Sequence, residues 1–199
     1  MNPVIHFNRE MAVKGGESNF INESGAYTGR IAEAKWMFPR NGESRAAALE
    51  LSFEAVDGSK ANYLSLYYLK RDGTSNDSGE AMIHAIMALT GVTTALNSVQ
   101  NGAEFFCPEL KGKPIGLALQ KVLFTKNNGS DGYKFEIKFP FSAQTRQTLK
   151  EMETQLPPSR VDSFASTISD KDDRTTAKAQ SSSHHHSSSL DDDLNDIPM

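Results

Sequence analysis

Cysteine is almost missing from this chain. Cys107 is the single one in 199 residues, which excludes an internal disulfide framework and any zinc site built from several thiolates. No run approaches the roughly 18 apolar residues of a membrane-spanning helix. The opening MNPVIHFNRE has no basic stretch leading into an apolar one and does not read as a secretory signal. Taken with the lone thiol, this leads to the expectation of a reduced, cytoplasmic compartment. Catalytic signatures are absent too: the sequence holds no GxxxxGK[ST], no HExxH and no GxSxG. Cys107 has no nucleophile signature around it and reads as a buried, inert thiol. His84 falls within a helical pattern, where a core or flanking role outweighs ligation. The His184-His185-His186 run has serine triplets on both sides and reads as a solvated patch rather than a metal site. The paired carboxylates Asp172-Asp173 fall in the stretch expected to be a linker, where nothing rigid would position them. No catalytic residue, cofactor or metal is expected.

A strong basic bias is also missing, with a net charge of −4, but that average hides a division. Residues 1–160 carry 18 Lys/Arg against 17 Asp/Glu, whereas residues 161–199 carry 3 against 8. Between Pro157-Pro158 and Leu190 the composition is Ser, Thr, Asp, Ala and Lys, too poor in large apolar residues to offset its own ordering entropy. The division this predicts is a folded domain over 1–156, a disordered linker over 157–189 and an acidic tip over 190–199.

What the domain does have is strand patterning. Tyr27 to Phe38 ends at the turn signal Pro39-Arg40-Asn41-Gly42. Ala47, Leu49, Leu51, Phe53 and Ala55 alternate with polar or small residues, a period-2 pattern with one apolar face. Asp57-Gly58 follows, a dipeptide suited to a type I′ turn, and then a third strand from about Ala61 to Leu69. The segment GEAMIHAIMALTG predicts a helix with an apolar stripe of Met82, Ile86 and Leu89, Ser78 as N-cap and Gly91 as its terminating glycine. A fourth strand is expected over Pro114–Thr125. In a fifth, Tyr133, Phe135, Ile137, Phe139 and Phe141 alternate with Lys134, Glu136 and Lys138. Thr145 to about Met152 could close the domain with a short helix, and Val4–Phe7 could add an edge strand. Three strands, a helix and two strands is the element order of an OB-fold. The expected fold class is therefore mainly β: a five-stranded Greek-key barrel with one helix between strands three and four.

In that fold a ligand strand lies across strands two and three, flanked by the one–two and four–five loops. The first loop and its approach hold Trp36, Phe38, Arg40 and Arg45; strand three and its exit hold Tyr63, Tyr67, Lys70 and Arg71. The second loop and its flanks hold Lys121, Lys126, Tyr133 and Lys134. Rings beside cations suit single-stranded nucleic acid, because unpaired bases expose π-faces while phosphates need positive charge. Tyr63 and Tyr67 share one strand face and Tyr68 takes the other, so at least one set is core.

The tip, Asp191-Asp192-Asp193-Leu194-Asn195-Asp196-Ile197-Pro198-Met199, leads a carboxylate run into a small apolar end, a pattern suited to a pocket with a basic rim. It resembles the C-terminal tip of bacterial single-stranded DNA-binding proteins, with Met199 where that family ends in Phe. GAYTGRIAEAKW, the Leu51-to-Tyr68 hairpin and GEAMIHAIMALTGV make the body, roughly Ser24 to Phe141, similar to bacteriophage-encoded single-stranded DNA-binding proteins. The resemblance implies a non-enzymatic OB-fold protein. It would bind single-stranded DNA with little sequence preference during replication, recombination or repair, in the host cytoplasm if phage-encoded. Asp191, Asp192, Asp193, Asp196, Ile197, Pro198 and Met199 would recruit partner proteins, and the protein could form a homo-oligomer. No membrane partner is expected. The competing reading is an adaptor whose β-domain binds a polypeptide rather than DNA.

Overall fold

The computed structural model describes residues 5–10, 19–39 and 44–174. The chain is mainly β, with an open, largely antiparallel sheet of eight strands and few helices among the described residues. The strands are β1 (Gly25–Met37), β2 (Ala47–Ala55), β3 (Lys60–Leu69), β4 (Val99–Asn101), β5 (Glu104–Phe106), β6 (Pro114–Thr125), β7 (Asp131–Phe141) and β8 (Lys171–Asp172). Helices among the described residues include α1 (Asp77–Leu89), α2 (Leu149–Glu153) and α3 (Ser159–Thr167).

β1 is the strand that others share. On one edge it pairs with β2 from Gly29 to Met37; on the other it pairs with β6 over Gly25–Arg30 and with β5 at Lys35 and Trp36. A register shift between Ile31 and Glu33 lets the strand bend between these partners. The resulting path runs β3-β2-β1-β6-β7. No ladder joins β3 to β7 among the described residues, so the expected closed five-stranded barrel is replaced by an open sheet whose two end strands face each other across a seam.

The alternation of β2 points Leu49, Leu51 and Phe53 into the core, where all three are fully buried with Ile31, Leu64, Ile86, Ile115, Leu117 and Leu119. Each such side chain contributes about 1.5–3 kcal/mol through removal from water. The β2–β3 connection differs from the type I′ expectation. Only Gly58 has positive φ (85°), and the Gly58 N–H donates to the Ala55 carbonyl at 2.9 Å while the Ala55 N–H donates to Ser59. This is a type I turn followed by a glycine bulge.

α1 starts before the expected Ser78, with Asn76 at its N-cap position. Its end follows the glycine rule: the Gly91 N–H donates to Ala88 and the Val92 N–H to Met87, the Schellman pairing. The β4–β5 hairpin lies in a stretch whose irregular sequence showed no strand pattern. Ile5–Phe7 is not a strand, and Val4 lies outside the described residues.

The single apolar face expected of β7 is split in two. An extra residue, Lys138, sits between the pairs Ala118↔Phe139 and Leu119↔Ile137. Phe135 and Ile137 therefore join the main core, whereas Phe139 and Phe141 turn to a second cluster with Ala118, Val161 and Phe164. That second cluster is what α3 covers, so β6 is buried on both faces. The chain expected to be a linker from 157 onward thus forms α3 and β8 before the described residues end at Arg174. Val161 is fully buried and Phe164 meets Phe139 edge-on at 5.3 Å, enough apolar contact to order an otherwise polar segment. A capping box at Thr148 starts α2, and the buried Glu151 side chain also accepts from the Arg160 N–H at 2.9 Å, tying α2 to α3.

Candidate nucleic-acid interface

The expected binding residues fall into two groups on either side of α1. The first lies along the β3–β7 seam. A register shift between Leu51 and Phe53 of β2 leaves an extra residue in β3, and Tyr63, with φ of 61°, stands there 78% exposed. Tyr67 is also exposed, whereas Tyr68 turns inward to pack on the core, so the two sets divide by strand face. Across the seam stand Tyr133, exposed at the start of β7, and Lys134, whose Nζ lies 2.9 Å from Glu136.

Two hollows follow this seam. One of about 420 Å³ is bounded by Phe20, Lys60, Tyr63, Tyr133 and Lys134. The other, about 360 Å³, is bounded by Tyr63, Tyr67, Met82, Lys134 and Ile137. They share Tyr63, Lys134 and Phe135 and so form one furrow. Phe20, half exposed at the furrow's edge, and Lys60 were missed by the sequence reading. Neither sits in a motif; a bridge between Phe20 and Lys60 brings the N-terminal segment alongside β3.

The second group gathers where β1 ends. Trp36 is half-buried; its indole N–H donates to the Asn97 carbonyl at 2.9 Å, and its ring meets Tyr68 edge-on at 5.7 Å. Phe38 is exposed and packs edge-on against Phe105 at 5.1 Å. Arg45, Lys70 and Arg71 are exposed close by: the Arg45 N–H donates to the Arg71 carbonyl, and the Arg45 side chain lies along Gly73. Asp72 sits in the same turn, its carboxylate held by the Thr74 N–H and hydroxyl at 2.9 and 2.7 Å. Arg40 lies outside the described residues, as do Asp191, Asp192, Asp193, Asp196, Ile197, Pro198 and Met199.

Not every expected cation is available to a ligand. The Lys121 Nζ donates to the Asn22 carbonyl at 2.9 Å, lies 3.7 Å from Asp170 and sits 5.0 Å from the centre of the Tyr133 ring. Lys121 therefore fastens the N-terminal segment and backs Tyr133. Lys126 is exposed in the β6–β7 turn.

The outer face of β1–β2 is a poor place for phosphate. Lys35 is gripped by Glu33 at 2.9 Å and Glu104 at 3.0 Å. Glu50, opposite Lys35 in the ladder, has its carboxyl pushed up by desolvation, with the Glu104 and Glu33 charges adding to the rise against the pull of Lys35. The expected surface over strands two and three thus narrows to β3 and its seam with β7.

Cys107 is buried beside Glu109; burial first, and then the carboxylate, push its thiol up to about 12. It stays protonated at neutral pH. Among the described residues no group of three or more His, Cys, Asp or Glu is placed to hold a metal ion, and no helix is long and apolar enough to cross a membrane. No known protein family matches this chain, and no curated protein does.

Proposed function

We propose that this chain is a single-stranded DNA-binding protein of OB-fold type. The observation that carries the reading is the seam. Tyr63, Tyr67 and Tyr133 hold exposed rings on two facing strands, and Lys60 and Lys134 line the same furrow. Exposed rings on facing strands offer flat surfaces on which unpaired bases stack, at about 1–3 kcal/mol per base. The path β3-β2-β1-β6-β7 with a helix after β3 supports the OB reading, the seam lying where such a barrel would close. Replication, recombination or repair is the setting that its resemblance to bacteriophage single-stranded DNA-binding proteins supports. The acidic tip, by its own resemblance, would recruit proteins of those processes.

Fluorescence anisotropy with labelled oligothymidine at low salt tests this on the full chain. Binding is expected, with affinity at least tenfold lower in Tyr63→Ala and in Tyr133→Ala. An absence of binding would refute the reading and favour the polypeptide adaptor.

A further inference from the structure

A cavity of about 540 Å³ opens between α1 and the end of β1, on the opposite side of α1 from the seam furrow. Its walls are mainly apolar and aromatic: Trp36, Phe38, Tyr68, Ile83, Met87 and Leu96. We propose that it takes one nucleobase of the bound strand, and guanine in preference to thymine; this rests on the single-strand-binding reading above.

Four features of the cavity support a base as its occupant. The volume suits a nucleoside-sized group, and ring walls match the face of a base. Leu69 and Ser75, both in the wall, are bridged to each other and form the two feet of the turn that carries Lys70 and Arg71, with Arg45 packed against it. Backbone phosphates would therefore meet cations at the mouth, while the apolar walls and Glu80 repel a phosphate from the interior. The indole of Trp36 is already oriented by Asn97, so little freedom is lost on stacking.

Glu80 sets the preference. Its Oε2 accepts from the Ser75 hydroxyl at 3.2 Å, and its Oε1 lies 3.9 Å from His84 Nε2, beyond a hydrogen bond. A carboxylate only accepts, so it favours an edge rich in donors. Guanine offers N1–H and an exocyclic amino group side by side; thymine offers one N–H between two carbonyl oxygens, which the carboxylate repels. Glu80 is about half exposed, so solvent keeps the discrimination small.

The experiment uses the full chain with two 20-mers, oligothymidine and the same strand with one central guanine. Trp36, the sole tryptophan, is the reporter. The guanine strand should bind about fivefold tighter and quench Trp36 more strongly. Ala95→Phe, which fills the cavity, and Glu80→Gln, which removes the carboxylate, should each erase that fivefold difference. Equal binding of both strands by the parent chain would overturn the base pocket while leaving the single-strand reading intact. Equal weakening of both strands in the variants, with the fivefold ratio preserved, would overturn it too. Failure of both strands to bind would instead refute the single-strand reading itself.

Discussion

Gly79, in the first turn of α1, sits directly against the carbonyl of Tyr67, so closely that a Cβ there would collide with the β3 backbone. The Asn76 side-chain amide donates to the same carbonyl at 2.7 Å, and the Asn76 N–H to that of Tyr68 at 2.8 Å. The helix start is thereby pinned to the strand that carries the exposed tyrosines. Helix propensity alone favours alanine over glycine by about 1 kcal/mol. Gly79→Ala should nevertheless destabilise the fold, by roughly 1–3 kcal/mol, because the clash involves backbone on both sides. A urea titration with an unchanged or raised midpoint would show that α1 is free to shift.

Tyr63 separates function from stability. A non-glycine residue at φ of 61° is strained. Replacing it with glycine should relieve roughly 1 kcal/mol of that strain, less what the lost side chain contributed. Tyr63→Gly is therefore expected to keep or slightly raise the melting temperature while lowering oligothymidine affinity at least tenfold. Loss of stability without loss of affinity would assign Tyr63 a packing role.

Glu151 predicts acid behaviour. Burial by itself would raise its carboxyl, but donors from Thr148, Arg160 and Ser159 outweigh that and hold it at about 2. A depressed folded value means the stabilisation is complete above the ordinary carboxylate range and is lost as pH falls toward 2. Glu151→Gln should cost about 2–3 kcal/mol at neutral pH, and the two unfolding curves should converge near pH 2. A gap that persists at that pH would point to shape rather than charge.

Two cations should behave differently. Arg71 is exposed in the turn between Leu69 and Ser75, which line the aromatic cavity, so Arg71→Ala should reduce the salt slope of oligothymidine binding by about 0.7, the contribution of one phosphate on a single strand. Lys121→Ala should instead loosen the N-terminal segment, read as faster amide exchange around Ile21, whose N–H donates to Lys60 at 2.9 Å. Identical salt slopes in the parent and Arg71→Ala would remove that residue from the interface.

The acidic tip competes with DNA if it visits the cationic surface. Deleting Asp191–Met199, which removes four aspartates and no base, should tighten oligothymidine binding at low salt and matter less as salt screens the charges. An unchanged low-salt affinity would show that the tip does not compete with DNA.

β1, β2, β3, β6, β7 and α1 were legible in the chain because strand-type composition, period-2 alternation, helical spacing and turn residues are local signals. So was the basic turn at Lys70-Arg71. Parity also put Tyr63 and Tyr67 on one face of the third strand and Tyr68 on the other, but which of these faces is exposed, and that Tyr133 is exposed while Phe135 is buried, came only from the fold. Tertiary structure alone decided the rest. The extra residues at Tyr63 and Lys138 exist only relative to a partner strand, and the second of them sends Phe139 and Phe141 to a cluster that α3 covers. The helix at 159–167 has too little apolar content to announce itself and is ordered by what Val161 and Phe164 meet. Lys121 looked like a phosphate contact until the fold brought Asn22 and Asp170 to it. Which side chains face a ligand depends on what else covers them, and that is set by contacts between residues far apart in the chain.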